Sequence, residues 1–503
     1  MKLITRRLLT NFHQLPLLTS PKLVRNCYRS SEITHFENFI KNQCKSGQIK
    51  NLAIARIYFE RMISVNPLPS TDTFNHLLTS VSKLTCYSTV IQLYKLMSLG
   101  GVEPSIYTYN ILINCCCQLS RVEYGFCLFG EILKRGYNPD TITYNTLSKG
   151  LCTQGPVGSA FRVFERMTEQ GIRPNVVTCN TLIRGLCRNG EVELALELQR
   201  TMVKWNCRSD VITYTSLIHG FCCVCRLNEA MALYDEMCSR GVSPNVVTVT
   251  VLLDSLCKER RMEDACRVFE RMSKLGLEPD VVTYTSMING YCENHRLKEA
   301  IQLFNIMQQK GFEPNQFTYS TLISEFFRIK NVGEAKRLFN EIKSSEQCLD
   351  LTIYGAMLDG LFKNHECDEA NKLFHSLKEK GFKVNDYIYT IVIDGLCKVE
   401  KLVDARKLFC ELRNQKLLLG VRACTAMIHG LCKKEMSFEA EKIIIDMEKN
   451  GCLPDAITYS TIILGFFHQG EVDKAKQFLR EMYIRNLVPN KAVKSLFNLT
   501  EHP

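Results

Sequence analysis

The chain has 503 residues, 46% apolar and 23% charged, which is the composition of a folded protein; no run of 18 apolar residues could make a membrane-spanning helix. Its formal net charge is +11, from 63 Lys and Arg against 52 Asp and Glu. That surplus permits a nucleic-acid partner without requiring one, and no Pro-, Gln- or Ser-rich tract is long enough to form a disordered arm.

In chain order, residues 1–35 come first, with Lys2, Arg6, Arg7, Lys22, Arg25 and Arg29 against Glu32 alone, so nearly half of the surplus charge sits there. The stretch is also rich in Leu, Ser and Thr, a composition that predicts a basic amphipathic organelle-targeting peptide removed after import. Asn11, His13 and Gln14 interrupt the apolar run that a secretory signal would need.

From Phe36 to Asn490 the sequence repeats every 35 residues without insertion or deletion, giving thirteen units. Ala recurs at Ala160, Ala195, Ala230, Ala265, Ala300, Ala335, Ala370, Ala405, Ala440 and Ala475. Cys117, Cys152, Cys187, Cys222, Cys257, Cys292, Cys397 and Cys432 form a second column, in which Phe327, Phe362 and Phe467 fill other rungs. Cys and Phe sharing one column predict apolar packing rather than disulfides, and free thiols in such number favour a reducing compartment.

Residues 281–315 show what one unit is. Tyr284, Met287, Ile288, Tyr291 and Cys292 lie at helical spacing on one stripe. Glu293 to Arg296 form a polar break, and Leu297, Ala300, Phe304 and Met307 make a second stripe that Gly311 and Pro314 end. Two short helices cannot bury their apolar faces alone, so hairpins must stack on their neighbours. Small residues in the first helices, among them Gly150, Gly185, Gly220, Gly290, Gly360, Gly395, Gly430 and Gly465, allow close approach. The expected fold class is all-α: a right-handed α-solenoid superhelix of stacked 35-residue helical hairpins.

The run from Val281 to Cys292, continuing through Glu299-Ala300 to Gly311 and Pro314-Asn315, resembles the pentatricopeptide repeat. Uniform 35-residue units resemble its P subclass, and Tyr109 to Cys115 with Gly136 to Asp140 resemble restorer-of-fertility-like members. The resemblance spans residues 36–490, with 36–70 a degenerate cap because Ile40 stands at its fifth position, and 491–503 a C-terminal tail. It implies a plant organelle protein, mitochondrial rather than plastid in most members, that binds single-stranded RNA at one base per repeat.

The resemblance implies that the fifth and last residues of a unit read the base. Those pairs are Asn75 with Ser105, Asn110 with Asp140, Asn145 with Asn175, Asn180 with Asp210, Thr215 with Asn245, Thr250 with Asp280, Thr285 with Asn315 and Ser320 with Asp350. Thr425 with Asp455 and Ser460 with Asn490 complete the set, while Gly355 (with Asn385) and Gly420 (with Thr390) interrupt it. The bland alternative puts Asn and Thr on a solvated helix face and lets Asp and Asn cap the next helix. An ionised Asp only accepts, suiting uracil N3–H or guanine N1–H, whereas an Asn amide also donates. In the family, Asn at the fifth position goes with pyrimidines and Thr or Ser with purines. The expected site is C-U-(C/U)-U-A-G-A-G-N-N-G-A, read 5′ to 3′.

The same resemblance gives stacking to Tyr107, Ile142, Val177, Ile212, Val247, Val282, Phe317 and Ile457 at the second position. Backbone phosphates are assigned to Arg188, Lys258, Arg328, Lys363, Lys398 and Lys433 at the thirteenth, where a helix-terminal cation is the competing reading. The Cys222-Cys223-Val224-Cys225 run has no second pair at finger spacing, and His365-Glu366 lacks an HExxH partner. No zinc-deaminase elements follow the repeats. The expectation is therefore a non-enzymatic monomer without cofactor or metal, with a nuclease recruited in trans if a transcript is cut; a protein-scaffold solenoid is the alternative.

Overall fold

The computed structural model describes residues 26–27, 30–154, 157–344, 349–379, 382, 384–414 and 420–497. The chain divides into two compact units, Met1–Ser255 and Leu256–Pro503. Both are built from the same hairpin. A first helix fills positions 1–13 of a repeat and a second fills positions 17–29, as in Val281–Glu293 and Leu297–Gln309.

Each helix has a chemical stop. After Gln309, Gly311 adopts φ 79°, its N–H donates to Gln308 O at 2.9 Å, and Phe312 N–H donates to Met307 O at 3.1 Å. This is a Schellman closure, and it puts the left-handed residue where Gly bears no Cβ penalty. The turn inside the hairpin closes the same way without Gly: His295 takes φ 63° while Arg296 N–H donates to Tyr291 O at 2.8 Å. Ser120, Cys225, Arg260, Lys330, His365, Glu400 and Glu435 repeat this conformation at whole multiples of the 35-residue period. Each costs about 1 kcal/mol against Gly, which the two closing bonds offset.

The two packing columns fall inside. All ten Ala from Ala160 to Ala475 are fully buried. The Cys and Phe column meets the Gly column of the following repeat: a Cβ on Gly290 would lie 2.2 Å from Cys257 Sγ, and one on Gly360 would lie 2.0 Å from Phe327. Gly is therefore needed at these contacts for lack of space. Burial pushes the Cys187, Cys292 and Cys397 thiols up to about 12, so they remain protonated apolar filler. Tyr at position 4 packs edge-on against Phe of the preceding second helix, as in Phe304–Tyr319 at 5.6 Å and Phe374–Tyr389 at 5.7 Å.

Three features differ from the sequence expectation. The first described helix, Ser30–Lys45, begins before residue 36 and buries Ile33, so described structure reaches into the stretch assigned to the targeting peptide. Residues 1–25, which carry most of that assignment, lie outside the described residues. A two-residue parallel pair, Asn26–Cys27 with Val65–Asn66, is the single strand pairing among the described residues. At the other end, Asn490 caps a short helix, Lys491–Leu496, which buries Val493, while the Phe497 ring lies 5.6 Å from Phe467. The expected tail thus begins as packed structure.

Candidate nucleic-acid interface

The site grows from the start of each first helix. The last residue of a repeat is the N-cap of the next: Asp140, Asn175, Asp210, Asn245, Asp280, Asn315, Asp455 and Asn490 each accept the N–H three residues on, through Oδ1, at 2.8–2.9 Å. Ser105, Asp350 and Asn385 do the same at slightly longer range. Such a cap contributes about 1 kcal/mol. The bonds described for the five Asp all use Oδ1, so Oδ2 of each carries no described bond.

The fifth position departs from the solvated-face alternative. Asn75, Asn110, Asn180, Thr285, Ser320 and Ser460 are buried, at no more than 8% exposure. Asn75, Asn110 and Asn180 bridge two repeats: Nδ2 donates to Ser105 Oγ, Asp140 Oδ1 and Asp210 Oδ1 at 3.0–3.1 Å. Their Oδ1 accepts from Thr108, Thr143 and Thr213 of the next repeat at 2.6–2.7 Å. Burial raises the Asp210 carboxyl, but bonds from the Thr213 N–H, Asn180 and the Thr213 hydroxyl outweigh it and hold the group below its ordinary value. Asp210 is thus an ionised acceptor at neutral pH.

The hydroxyl units are built differently. Thr215, Thr285 and Thr425 meet Thr248, Thr318 and Thr458 of the next repeat at 2.6–2.7 Å. Each also bonds the carbonyl four residues back, and none bonds its last-position partner in the described set. A shorter side chain leaves a gap where the Asn bridge would run, and Asn245, Asp280 and Asn315 are exposed. The fifth position is uniformly short and uncharged partly because it lies buried at a repeat junction. Asn145 breaks the pattern, since its Oδ1 is buried without a partner.

All eight second-position side chains are exposed: Tyr107 49%, Ile142 54%, Val177 61%, Ile212 53%, Val247 59%, Val282 56%, Phe317 55% and Ile457 66%. Leaving each half in water forgoes about 1 kcal/mol of burial at each of these eight positions. Tyr387, 48% exposed, belongs to the same column and was missed, although counting 35 residues at a time finds it. In the C-terminal unit Phe317, Thr352 and Tyr387 line one groove of about 740 Å³ with Ser320, Gly355, Arg328 and Lys363.

The cations fall into two groups. Arg188 is exposed, and so are Lys149 and Arg184 at the ninth position, none with an ion-pair partner among the described residues; the sequence reading missed the last two. In the C-terminal unit Arg328 Nε is 2.6 Å from Glu325 Oε2, Lys363 is 2.7 Å from Asp359, Lys398 pairs with Asp394, and Lys433 is 3.7 Å from Glu400. Four of the six expected phosphate ligands are therefore engaged with carboxylates, and Lys258 is exposed. Among the described residues no group of His, Cys, Asp and Glu is arranged to hold a metal, and no helix is long and apolar enough to cross a membrane.

The two interrupted units are filled from elsewhere. A Cβ on Gly355 would lie 2.7 Å from Tyr387 Cε1, and one on Gly420 would lie 2.2 Å from Asp386 Oδ2. The helix starting at Val421 has no side-chain cap of its own.

The model of the PPR repeat family matches residues 69–118, 109–153, 149–188, 174–223, 224–258, 246–293, 279–328, 349–398 and 419–468, and that of the PPR repeat matches 317–346, 387–417 and 457–487. A mitochondrial pentatricopeptide repeat-containing protein of Arabidopsis thaliana is 33% identical over 97 residues, 19% of this chain and 16% of its own length. A second mitochondrial one from Arabidopsis thaliana is 42% identical over 65 residues, 13% of this chain and 12% of its own length. The matched segments thus span under a fifth of these relatives. The crystal structure of the maize protein PPR10 shares the fold at a TM-score of 0.51 and 21% identity, over 91% of this chain and 80% of that one.

Proposed function

The chain belongs to the pentatricopeptide repeat (PPR) family, and from that premise we propose that it binds single-stranded RNA sequence-specifically in a plant organelle, at one base per repeat. The observation that carries this reading is the set of exposed apolar second positions, 35 residues apart in sequence from Tyr107 to Phe317 and found again at Tyr387 and Ile457, beside the fifth-position and capping last-position pairs. Aromatic and apolar faces one repeat apart suit bases splayed from a single strand, and stacking contributes about 1–3 kcal/mol per base without choosing among them. Choice then falls to the polar pair. The Asn bridge narrows the space before Asp140 or Asp210 and suits a pyrimidine; the open hydroxyl units suit a purine.

The mitochondrion is the favoured compartment because the matched relatives are named mitochondrial, with the plastid as the alternative. There the protein acts as a monomer by occupying a transcript, in 5′-end maturation, stability or translation, and any cleavage is done by a nuclease recruited in trans. The P-subclass, restorer-like character is part of the same proposal. The test is selection of a randomised RNA pool on the purified chain at stated salt, followed by sequencing of the bound fraction. Enrichment of a U-A-G-A core supports pairing, register and polarity together. Salt-sensitive binding with no enriched sequence overturns base readout and moves the surface toward a protein partner.

A further inference from the structure

The repeat 386–420 has Gly at its last position, so the pairing rule leaves its base unread. The structure fills that vacancy with a side chain from the start of the same repeat. A Cβ built on Gly420 would lie 2.2 Å from Asp386 Oδ2 and 3.1 Å from Asp386 Cγ, so the Asp386 carboxyl sits about where a last-position Asp would carry its own. Oδ2 faces the Gly420 side of the junction and the carboxylate accepts the Gly420 N–H. Oδ1 is buried and has no hydrogen-bond partner among the described residues. Elsewhere the following repeat supplies a Thr hydroxyl to the capping oxygen, as Thr283 does to Asp280 at 2.8 Å, but here the equivalent residue is Ala423, which has none to give.

An acceptor without a donor inside the groove is costly unless a ligand supplies the donor. We propose that Asp386 substitutes for the missing last-position side chain, so that repeat 386–420 reads guanine rather than any base. The inference rests on the base-per-repeat reading above. Guanine brings N1–H and N2–H donors to an acceptor-only carboxylate. The short Thr390 side chain, whose hydroxyl folds back onto the Asp386 carbonyl at 2.8 Å, favours a purine over uracil. Adenine and cytosine present an unprotonated ring nitrogen to the carboxylate at the same edge. Burial raises the Asp386 carboxyl and the Gly420 N–H lowers it, with the net effect upward, in keeping with an oxygen short of donors.

The experiment measures binding of the full chain to four RNAs that differ only at the base facing this repeat, beside four that differ only at the base facing repeat 281–315. Wild type should prefer guanine at the first site by roughly tenfold, within the span usual for one mismatched base. Asp386→Ala should erase that preference without touching the control site. Asp386→Ala combined with Gly420→Asp should restore it by returning the carboxyl to the ordinary position. Helical content of each variant by circular dichroism confirms folding. A flat profile at this site with discrimination retained at the control site overturns the role of Asp386 alone. Flat profiles at both sites overturn base readout and this inference with it.

Discussion

The two compact units use one hairpin for two kinds of groove. In the N-terminal unit, three of the four Asn units carry a bridge from the fifth position to the last-position cap, and Lys149, Arg184 and Arg188 stand exposed without partners among the described residues. In the C-terminal unit the fifth positions are Thr, Ser or Gly, the bridge is missing, and Arg328, Lys363 and Lys398 are each held by a carboxylate one turn away. The contrast separates two jobs that phosphate and base contacts perform. Free cations give affinity and salt dependence; open, polar gaps give discrimination. On the RNA-binding reading proposed above, the N-terminal unit should contribute more to phosphate binding and the C-terminal unit more to base discrimination.

The largest break of this comparison is Lys149→Ala with Arg184→Ala and Arg188→Ala. Losing three phosphate contacts to a single strand should flatten the slope of log K against log salt by about 2 and lower affinity about 100-fold at 0.1 M salt. A salt titration of RNA binding reads both quantities. A slope that does not move would mean that these three side chains do not face the strand.

Next in size is Thr285→Asn. In the N-terminal unit Asn reaches both the last-position residue and the Thr of the next repeat, and Asn315 and Thr318 offer the same partners here. The substitution should rebuild the bridge, close the gap and move preference at that base from purine to pyrimidine by about 1–3 kcal/mol. Competition binding with the two RNAs checks it. The control is Asn180→Thr, which should open the N-terminal gap and shift preference the other way.

Much of this was legible in the sequence, because anything that recurs every 35 residues is visible by alignment of the chain with itself. The Ala, Cys and Gly columns, the capping residues and the exposed second positions all follow from periodicity plus helical spacing. What stayed hidden lies across repeat junctions or depends on an absence. The Thr column at the third position, from Thr108 to Thr318, was plain to see, but nothing local says that its hydroxyls bond the fifth position of the preceding repeat. The left-handed residue inside the hairpin was hidden because His295, Lys330 and Glu400 carry no preference for it; the closing bonds impose it. Asp386 takes its meaning from the side chain that Gly420 lacks, and the ion pairs at Lys363 and Lys398 required weighing position 9 against position 13.

Those ion pairs give the smallest test and the one that most sharpens the contrast. Asp359 and Asp394 sit one turn before Lys363 and Lys398, with Lys363 2.7 Å from its carboxylate. They neutralise the lysines locally, and they also place negative charge where a phosphate would pass. Exposed pairs of this kind contribute about 0–1 kcal/mol to stability, so breaking them costs the fold little. Asp359→Asn with Asp394→Asn should therefore leave thermal unfolding nearly unchanged while freeing two cations. RNA affinity should rise roughly fivefold at low salt, the gain should fade as added salt screens the charges, and the log–log slope should steepen by about 1. If the double substitution raises affinity equally at all salt concentrations, its effect is on shape rather than charge. The division between a phosphate-binding unit and a base-discriminating unit would then have to rest on the fifth positions alone.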